Sequence, residues 1–67
     1  MEVFINHEPC RLEKHSSLSA VLTALGLGQG QGLALAVNNR IIPRAQWAEF
    51  PLQNNDRIIL VRAAQGG

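Results

Sequence analysis

A single helical stripe limits the architectures open to this chain. The stretch around residue 20 has apolar residues at i, i+3, i+4 and i+7, a spacing that an α-helix gathers onto one face. These residues are Leu18, Val21, Leu22 and Leu25. With 67 residues in all, the chain can form one small domain, in which folding buries about 60% of the surface. One helix can cover one face of a sheet and must leave the other face open.

Both ends of this helix are marked in the sequence. Ser16 and Ser17 precede the stripe and are candidates for the N-cap. Gly26 suits the left-handed C′ position, and Leu27 is placed for the closing hydrophobic contact of a Schellman motif. Residues 28–32 alternate glycine with glutamine. Because they follow a helix and precede a strand, they are predicted to form a flexible polar loop and not a phosphate cradle.

A β-hairpin is predicted before the helix. Residues 2–6 are largely β-branched or aromatic, residues 6–9 have turn chemistry, and residues 10–13 resume an alternation of polar and apolar side chains. With a period of two, Val3 lies on one face of the first strand and Phe4 lies on the other.

A second hairpin and a short helical turn are predicted after the helix. Leucine or valine alternates with alanine over residues 33–37, and the two asparagines that follow tolerate the positive φ of a tight turn into residues 40–42. Pro43 ends that strand. Residues 44–49 are predicted to form one helical turn that places Trp47 as a lid on the core.

The last predicted strand, residues 57–62, is apolar on both faces. Its side chains alternate between the faces, with Ile59 and Val61 on the same side. Because one helix can cover only one face, we expect Ile59 and Val61, together with Phe4, to line an exposed docking patch beside the C-terminal tail. The alternative is a strand that is buried on both sides.

The predicted order of elements is β-β-α-β-β-short helix-β. It packs as one mixed five-stranded sheet with the helix across one face, an α+β fold. The sequence between the first and last strands supplies the long crossover that parallel pairing requires, so these two strands are predicted to be parallel neighbours. We expect residues 1–62 to form this domain and residues 63–67 to form a flexible tail.

The sequence ends in two glycines, Gly66 and Gly67. Glycine has no Cβ, so a narrow cleft can close around this end of the backbone. If extended, residues 63–67 reach about 16 Å beyond the sheet. We therefore interpret Gly67 as the attachment point for a transferred group, Gly66 as the residue that permits threading, and Gln65 as part of the bound tail. The alternative is an ordinary frayed terminus.

Composition argues against several other functions. Six Lys and Arg against five Asp and Glu give a net charge of +1, and the basic residues are scattered, unlike the basic stripe of a nucleic-acid-binding protein. The longest aliphatic run, residues 58–61, is far shorter than the roughly 20 residues of a membrane span. No signal peptide opens the chain, so we expect a cytoplasmic protein without a membrane partner.

No metal site, cofactor or enzymatic activity is predicted. Cys10 is the only cysteine, which excludes an internal disulfide. An extended run from Cys10 to His15 spans about 16 Å, whereas zinc ligands converge about 2 Å from one ion. We interpret Cys10 as a half-buried strand residue, and the serines at 16 and 17 as helix caps rather than nucleophiles.

The combination of these features resembles a known family. The string VNNRIIPRAQW at 37–47 is followed by DRI at 56–58 and by the terminal Gly-Gly. Over its whole length the sequence is similar to the ThiS family, the sulfur carriers of thiamine biosynthesis, which have the ubiquitin-like β-grasp fold. It departs from the family in Asn54-Asn55, where Asp-Gly is usual, and in Gln65, where a smaller residue is usual. Asparagine also accepts the left-handed conformation, so we expect the turn to form.

The resemblance implies a carrier cycle in which the chain is a co-substrate and not an enzyme. An E1-like, ATP-dependent adenylyltransferase (ThiF-like) would adenylate the Gly67 carboxylate. A sulfur donor such as a cysteine desulfurase would then lead to a thiocarboxylate, and thiazole synthase (ThiG-like) would take the sulfur. The chemistry agrees, because a carboxylate is a poor electrophile until it becomes a mixed anhydride with a good leaving group.

Three other functions use the same features. The small subunit of molybdopterin synthase has the same fold and tail chemistry. A ubiquitin-like protein modifier would be attached through Gly67; the single lysine, Lys14, disfavours linked modifier chains but leaves simple conjugation open. A non-covalent β-grasp interaction module would make the two glycines incidental.

Overall fold

The last strand joins two hairpins into one mixed sheet. The computed structural model describes residues 1–28 and 30–62. Within them the elements are, in chain order, β1 (Glu2–Ile5), β2 (Glu8–Arg11), α1 (Leu18–Ala24), β3 (Leu33–Val37), β4 (Arg40–Ile41), a 3₁₀ helix (Arg44–Gln46) and β5 (Arg57–Arg62). The strand order is β2-β1-β5-β3-β4. β5 runs parallel to β1 and antiparallel to β3, so the predicted element order and the predicted parallel pair are both confirmed.

Capping residues fix α1 at both ends, as predicted. The hydroxyl of Ser17 accepts a hydrogen bond from the backbone N–H three residues later, at 3.3 Å. Gly26 has φ +74°, and its N–H donates to Thr23 O at 3.1 Å. The N–H of Leu27 donates to Leu22 O at 2.9 Å. These two bonds are the pair that defines a Schellman motif.

Each hairpin closes with a two-residue turn. Asn6 and His7 have φ +50° and +73°, and Asn38 and Asn39 have φ +52° and +70°. Positive φ at both central residues is the signature of a type I′ turn, whose twist matches that of the flanking strands. The second hairpin is therefore as predicted.

The first hairpin differs from the prediction in its bounds. The turn was expected to extend to Pro9 and the next strand to cover residues 10–13, but β2 is Glu8–Arg11. His7 takes the second left-handed position, so the turn needs only two residues. Pro9 fits in the strand because β2 is an edge strand and proline is tolerated where its missing N–H faces outward.

A single core lies between the sheet and α1. It contains Val3, Ile5, Leu18, Val21, Leu22, Leu35, Val37, Ile42, Trp47, Leu52 and Ile58. Trp47 follows the 3₁₀ helix and is 4% exposed, and its Nε1–H donates to Ile42 O at 2.8 Å. The predicted role of Trp47 as a lid on the core is confirmed.

The glycine-rich loop is packed more closely than a flexible polar loop would be. Gly28 is exposed, but Gly30 is buried and its carbonyl accepts a hydrogen bond from Arg44 Nη2 at 2.7 Å. The Arg44 guanidinium also lies 5.1 Å from the centroid of a Trp47 ring, within the range of a cation–π contact. The prediction of a flexible loop is wrong at Gly30, because this residue is packed against the Trp47 ring, which leaves no room for a side chain. Within residues 1–28 and 30–62, no helix has the length and apolarity of a transmembrane span.

Candidate functional site

The face of the sheet opposite α1 is the first part of the candidate site. Along β1 and β3 the side chains alternate between buried and more exposed positions, so each strand has one core face and one outer face. α1 packs into the core through Leu18, Val21 and Leu22, and Trp47, which follows the 3₁₀ helix, is buried in the same core. Among the described residues, no helix covers the outer face of the sheet, as the single helix predicts.

Apolar side chains continue across this open face from strand to strand. Ile59 of β5 is paired with Ala36 of β3, and Ala36 is paired with Ile41 of β4. Val61 is paired with Ala34. Directly opposed residues of an antiparallel pair share a face, so these side chains form one surface. We use the name open-face patch for the outward-facing apolar residues Phe4, Ala34, Ala36, Ile41, Ile59 and Val61.

The three residues expected in a docking patch all lie on this surface. Phe4 and Ile59 are half-buried and line one shallow depression together with His7 and Arg57. Val61 is 54% exposed and lies two residues further along β5 than Ile59. The alternative of a strand buried on both faces is wrong for the C-terminal half of β5.

Sequence reasoning missed Ile41, which is 76% exposed. The adjacent pair Ile41-Ile42 was a partial signal, because neighbouring residues of a strand point to opposite faces and one of the two must therefore face outward. The structure shows that Ile42 is the buried one. Among the described residues, three large apolar side chains are exposed, namely Leu25, Ile41 and Val61. Two of the three belong to the open-face patch.

The second part of the site is the end of β5, from which the tail continues. On one side, the pairing with β3 extends to Arg62, which lies opposite Leu33. On the other side, the N–H of Asn6 donates to Ile58 O at 2.8 Å, and Asn6 Oδ1 accepts from Leu60 N–H at 2.9 Å. The Asn6 side chain thus replaces a backbone carbonyl and extends the β1–β5 ladder beyond the end of β1.

The start of β5 is anchored by a second asparagine. Asn38 Nδ2 donates to Asp56 Oδ1, and Asn38 Oδ1 accepts from Arg57 N–H, both at 3.0 Å. Asn55, in the turn before β5, has φ +72°. The turn therefore forms with Asn54-Asn55, as expected for a residue that tolerates the left-handed conformation.

The described residues hold no assembled catalytic centre. No group of three or more His, Cys, Asp or Glu among residues 1–28 and 30–62 is placed to hold a metal ion, and no polar or charged residue there is buried. Cys10 is half-buried in β2, as predicted. The remaining predicted site residues, Gln65, Gly66 and Gly67, lie outside the described residues. Among the described residues, the part of the chain nearest to these three is β5, which ends at Arg62.

A family model described as the ThiS family matches residues 3–67. The chain belongs to the ThiS family. The sulfur carrier protein ThiS of Escherichia coli (strain K12) is 33% identical over 67 residues, and the match covers all of both chains. The ThiS match includes the open-face patch, β5 and the two terminal glycines.

Solved structures agree with the predicted fold. The crystal structure of the thiamine biosynthesis protein ThiS from Geobacter metallireducens matches with a TM-score of 0.86 at 17% identity, over all of both chains. An NMR solution structure of a thiamine biosynthesis protein from the same organism matches with a TM-score of 0.77 at 17% identity, over all of this chain and 88% of that one. The fold of this ThiS-family chain is the ubiquitin-like β-grasp.

Proposed function

We propose that this chain is the sulfur carrier of thiamine thiazole formation. Its Gly67 carboxylate is adenylated, converted to a thiocarboxylate and used as the source of sulfur. The observation that carries the proposal is the ThiS-family match, which extends through the terminal Gly-Gly, on a body whose central strand is paired as far as Arg62. A relative that is 33% identical over the full length is named as a sulfur carrier.

Activation of the terminus takes place in two steps. A carboxylate oxygen of Gly67 attacks the α-phosphorus of ATP, and pyrophosphate leaves. The acyl adenylate then has a carbonyl carbon with AMP as leaving group, and a sulfur nucleophile of the donor displaces AMP. Where that nucleophile is a persulfide, the product is an acyl disulfide, and a thiol reduces it to the thiocarboxylate while becoming part of a disulfide. In this proposal the activating enzyme supplies the catalytic groups for both steps.

The open-face patch is proposed as the surface that docks on the activating enzyme. It lies on the same strand that leads to the tail, so an enzyme seated on Ile59 and Val61 is held next to the start of residues 63–67. Five residues remain after Arg62, enough to reach about 16 Å into a partner's active site. Gln65 and Gly66 then lie within that site, where a bare glycine backbone allows close approach.

The proposed partners follow from this cycle. They are an E1-like, ATP-dependent adenylyltransferase of the ThiF type, a sulfur donor such as a cysteine desulfurase, and a thiazole synthase of the ThiG type. We place the cycle in the cytoplasm, where ATP is available and a single cysteine stays reduced. The relative's name favours thiamine synthesis over molybdopterin synthesis, protein modification or a purely non-covalent module.

The test is the intact mass of the purified chain after incubation with a ThiF-type enzyme, ATP and a sulfur source. We expect the mass increase that corresponds to replacing one oxygen by sulfur, and release of the sulfur on addition of thiazole synthase and its substrates. A chain extended by one alanine after Gly67 should gain no sulfur. If the extended chain supports thiazole formation as well as the original chain does, the carboxyl-carrier mechanism is wrong.

A further inference from the structure

One side of β5 lacks a neighbouring strand where β5 approaches the tail. β1 and β5 are paired at Phe4 with Arg57 and at Ile5 with Ile58, and Asn6 adds one more step with its side chain. At Asn6 and His7, which both have positive φ, the chain turns away into β2. Among residues 1–28 and 30–62, no strand pairs with this side of β5 beyond Asn6. The other side is paired with β3 as far as Arg62.

The backbone groups that face this gap can be identified from the alternation along β5. Arg57 directs its N–H and C=O groups to Asn38, at the β3 side. The C=O of Ile58 accepts from Asn6 N–H, and the N–H of Leu60 donates to Asn6 Oδ1, both at the β1 side. Because successive residues of a strand alternate in this respect, Arg62 again faces the β1 side. The gap is therefore bordered by Leu60 C=O as an acceptor and by Arg62 N–H as a donor.

We propose that this gap is a β-augmentation site for an extended segment of the activating enzyme. The segment takes the position in the sheet that β1 leaves empty beside Leu60 and Arg62. Its own backbone donates to Leu60 C=O and accepts from Arg62 N–H. The inference rests on the proposed function, because it assigns the segment to the enzyme that receives Gly67.

We assign the added strand to the activating enzyme because the gap lies next to the proposed docking surface and to the start of the tail. Arg62 is the last residue of β5, so a strand bound there fixes the direction in which residues 63–67 leave the body. On the open face, the side chains of an added strand would stand beside Ile59 and Val61. Val61 is 54% exposed, which leaves apolar area for such side chains to cover. Main-chain bonds supply affinity in this mode of recognition, and neighbouring side chains supply specificity.

Arg62→Pro tests the site without disturbing the rest of the ladder. Proline at 62 removes an N–H that faces the gap, whereas the ladder bonds to β3 are made by the odd-numbered residues of β5. Proline is tolerated where its missing N–H would face away from the sheet. The matched control is Arg62→Ala, which loses the same guanidinium but keeps the N–H. We expect the KM for adenylation by a ThiF-type enzyme to be about tenfold higher for R62P than for R62A, the size of effect for one lost backbone bond at an interface.

Hydrogen exchange in the unsubstituted protein gives a second measurement that does not depend on tail geometry. In the free protein, the Val61 N–H should exchange slowly because it faces β3, and the Arg62 N–H should exchange fast. On addition of the enzyme, the Arg62 N–H should become protected. If it stays fast in the saturated complex, or if R62P and R62A are adenylated equally well, the augmentation site is wrong while the carrier function stands. If the unsubstituted chain is not adenylated at all, the proposed function fails first and the augmentation site fails with it.

Discussion

Gly30 and Trp47 are packed so closely that no side chain fits between them. A Cβ atom on Gly30 would lie 2.8 Å from Trp47 Cζ3 and 2.9 Å from Leu22 Cδ1, distances that require the ring or the backbone to move. Gly30 also has φ +72°, a conformation that is unfavourable for residues with a Cβ. The Arg44 guanidinium bonds the Gly30 carbonyl, so the loop, the tryptophan and the arginine form one unit.

Gly30→Ala should lower the free energy of unfolding by about 3 kcal/mol, through overpacking against Trp47 and left-handed strain. Gly28→Ala is the matched control, because Gly28 has φ +61° and a Cβ added there would meet nothing within 4 Å; only the strain, about 1 kcal/mol, applies there. Denaturant unfolding followed by fluorescence of Trp47, the only tryptophan, measures both. Equal losses in the two variants would contradict the packing account.

Replacing Asn6 should loosen the end of β5. Asn6→Gly keeps the positive φ but removes the oxygen that accepts from Leu60 N–H, so we expect a loss of stability of about 1 kcal/mol and faster hydrogen exchange at Leu60. Asn6→Asp keeps an oxygen acceptor at the same place and serves as the control. The predicted role is wrong if Leu60 exchanges at the same rate in the glycine variant and in the original chain.

The open-face patch should affect docking and not folding. Ile41→Glu changes a side chain that is 76% exposed, so we expect a stability change within about 0.5 kcal/mol and a KM for adenylation that is raised about tenfold by burying a charge. Leu25→Glu is the control, because Leu25 is 42% exposed but lies at the end of α1, away from the open face. Equal effects of the two substitutions on KM would show that the patch is not the docking surface.

Gly66→Val should abolish thiocarboxylate formation and leave the fold intact. A β-branched residue obstructs a cleft that is shaped for bare backbone, and residue 66 follows the last residue of β5 by four positions in the sequence. Ala63→Val places the same side chain near the start of the tail, where we expect a smaller effect on sulfur transfer. Intact-mass measurement after incubation with the activating enzyme follows the reaction, and far-ultraviolet circular dichroism checks the fold. Normal sulfur loading of the Gly66→Val chain would count against threading of the tail.

Most of the fold follows from local signals in the sequence. The helical spacing from Leu18 to Leu25, the serine cap and the glycine at position 26 determine α1, because each acts within one or two turns of chain. The asparagine pairs determine turns for the same reason. The error at Pro9 arose because proline ends most strands, and only the tertiary position of β2 at the sheet edge makes it acceptable there.

The contacts that complete the site are long-range and leave weaker traces. The bond between Asn6 and Leu60 joins residues 54 positions apart, and an asparagine in a turn is adequately explained by its tolerance of positive φ. Ile41 was missed because two adjacent isoleucines do not reveal which one faces the core. The packing of Gly30 under Trp47 likewise depends on two loops that meet only in the folded protein.

The position of β5 also determines the order in which the molecule can be completed. β5 is the last of the five strands to be synthesised, yet it stands in the middle of the sheet, between β1 and β3. Until it is available, the two hairpins have no common partner, and isolated two-stranded hairpins are marginally stable at best. On the ribosome, the nascent chain should therefore gain its native structure only when its final strand emerges.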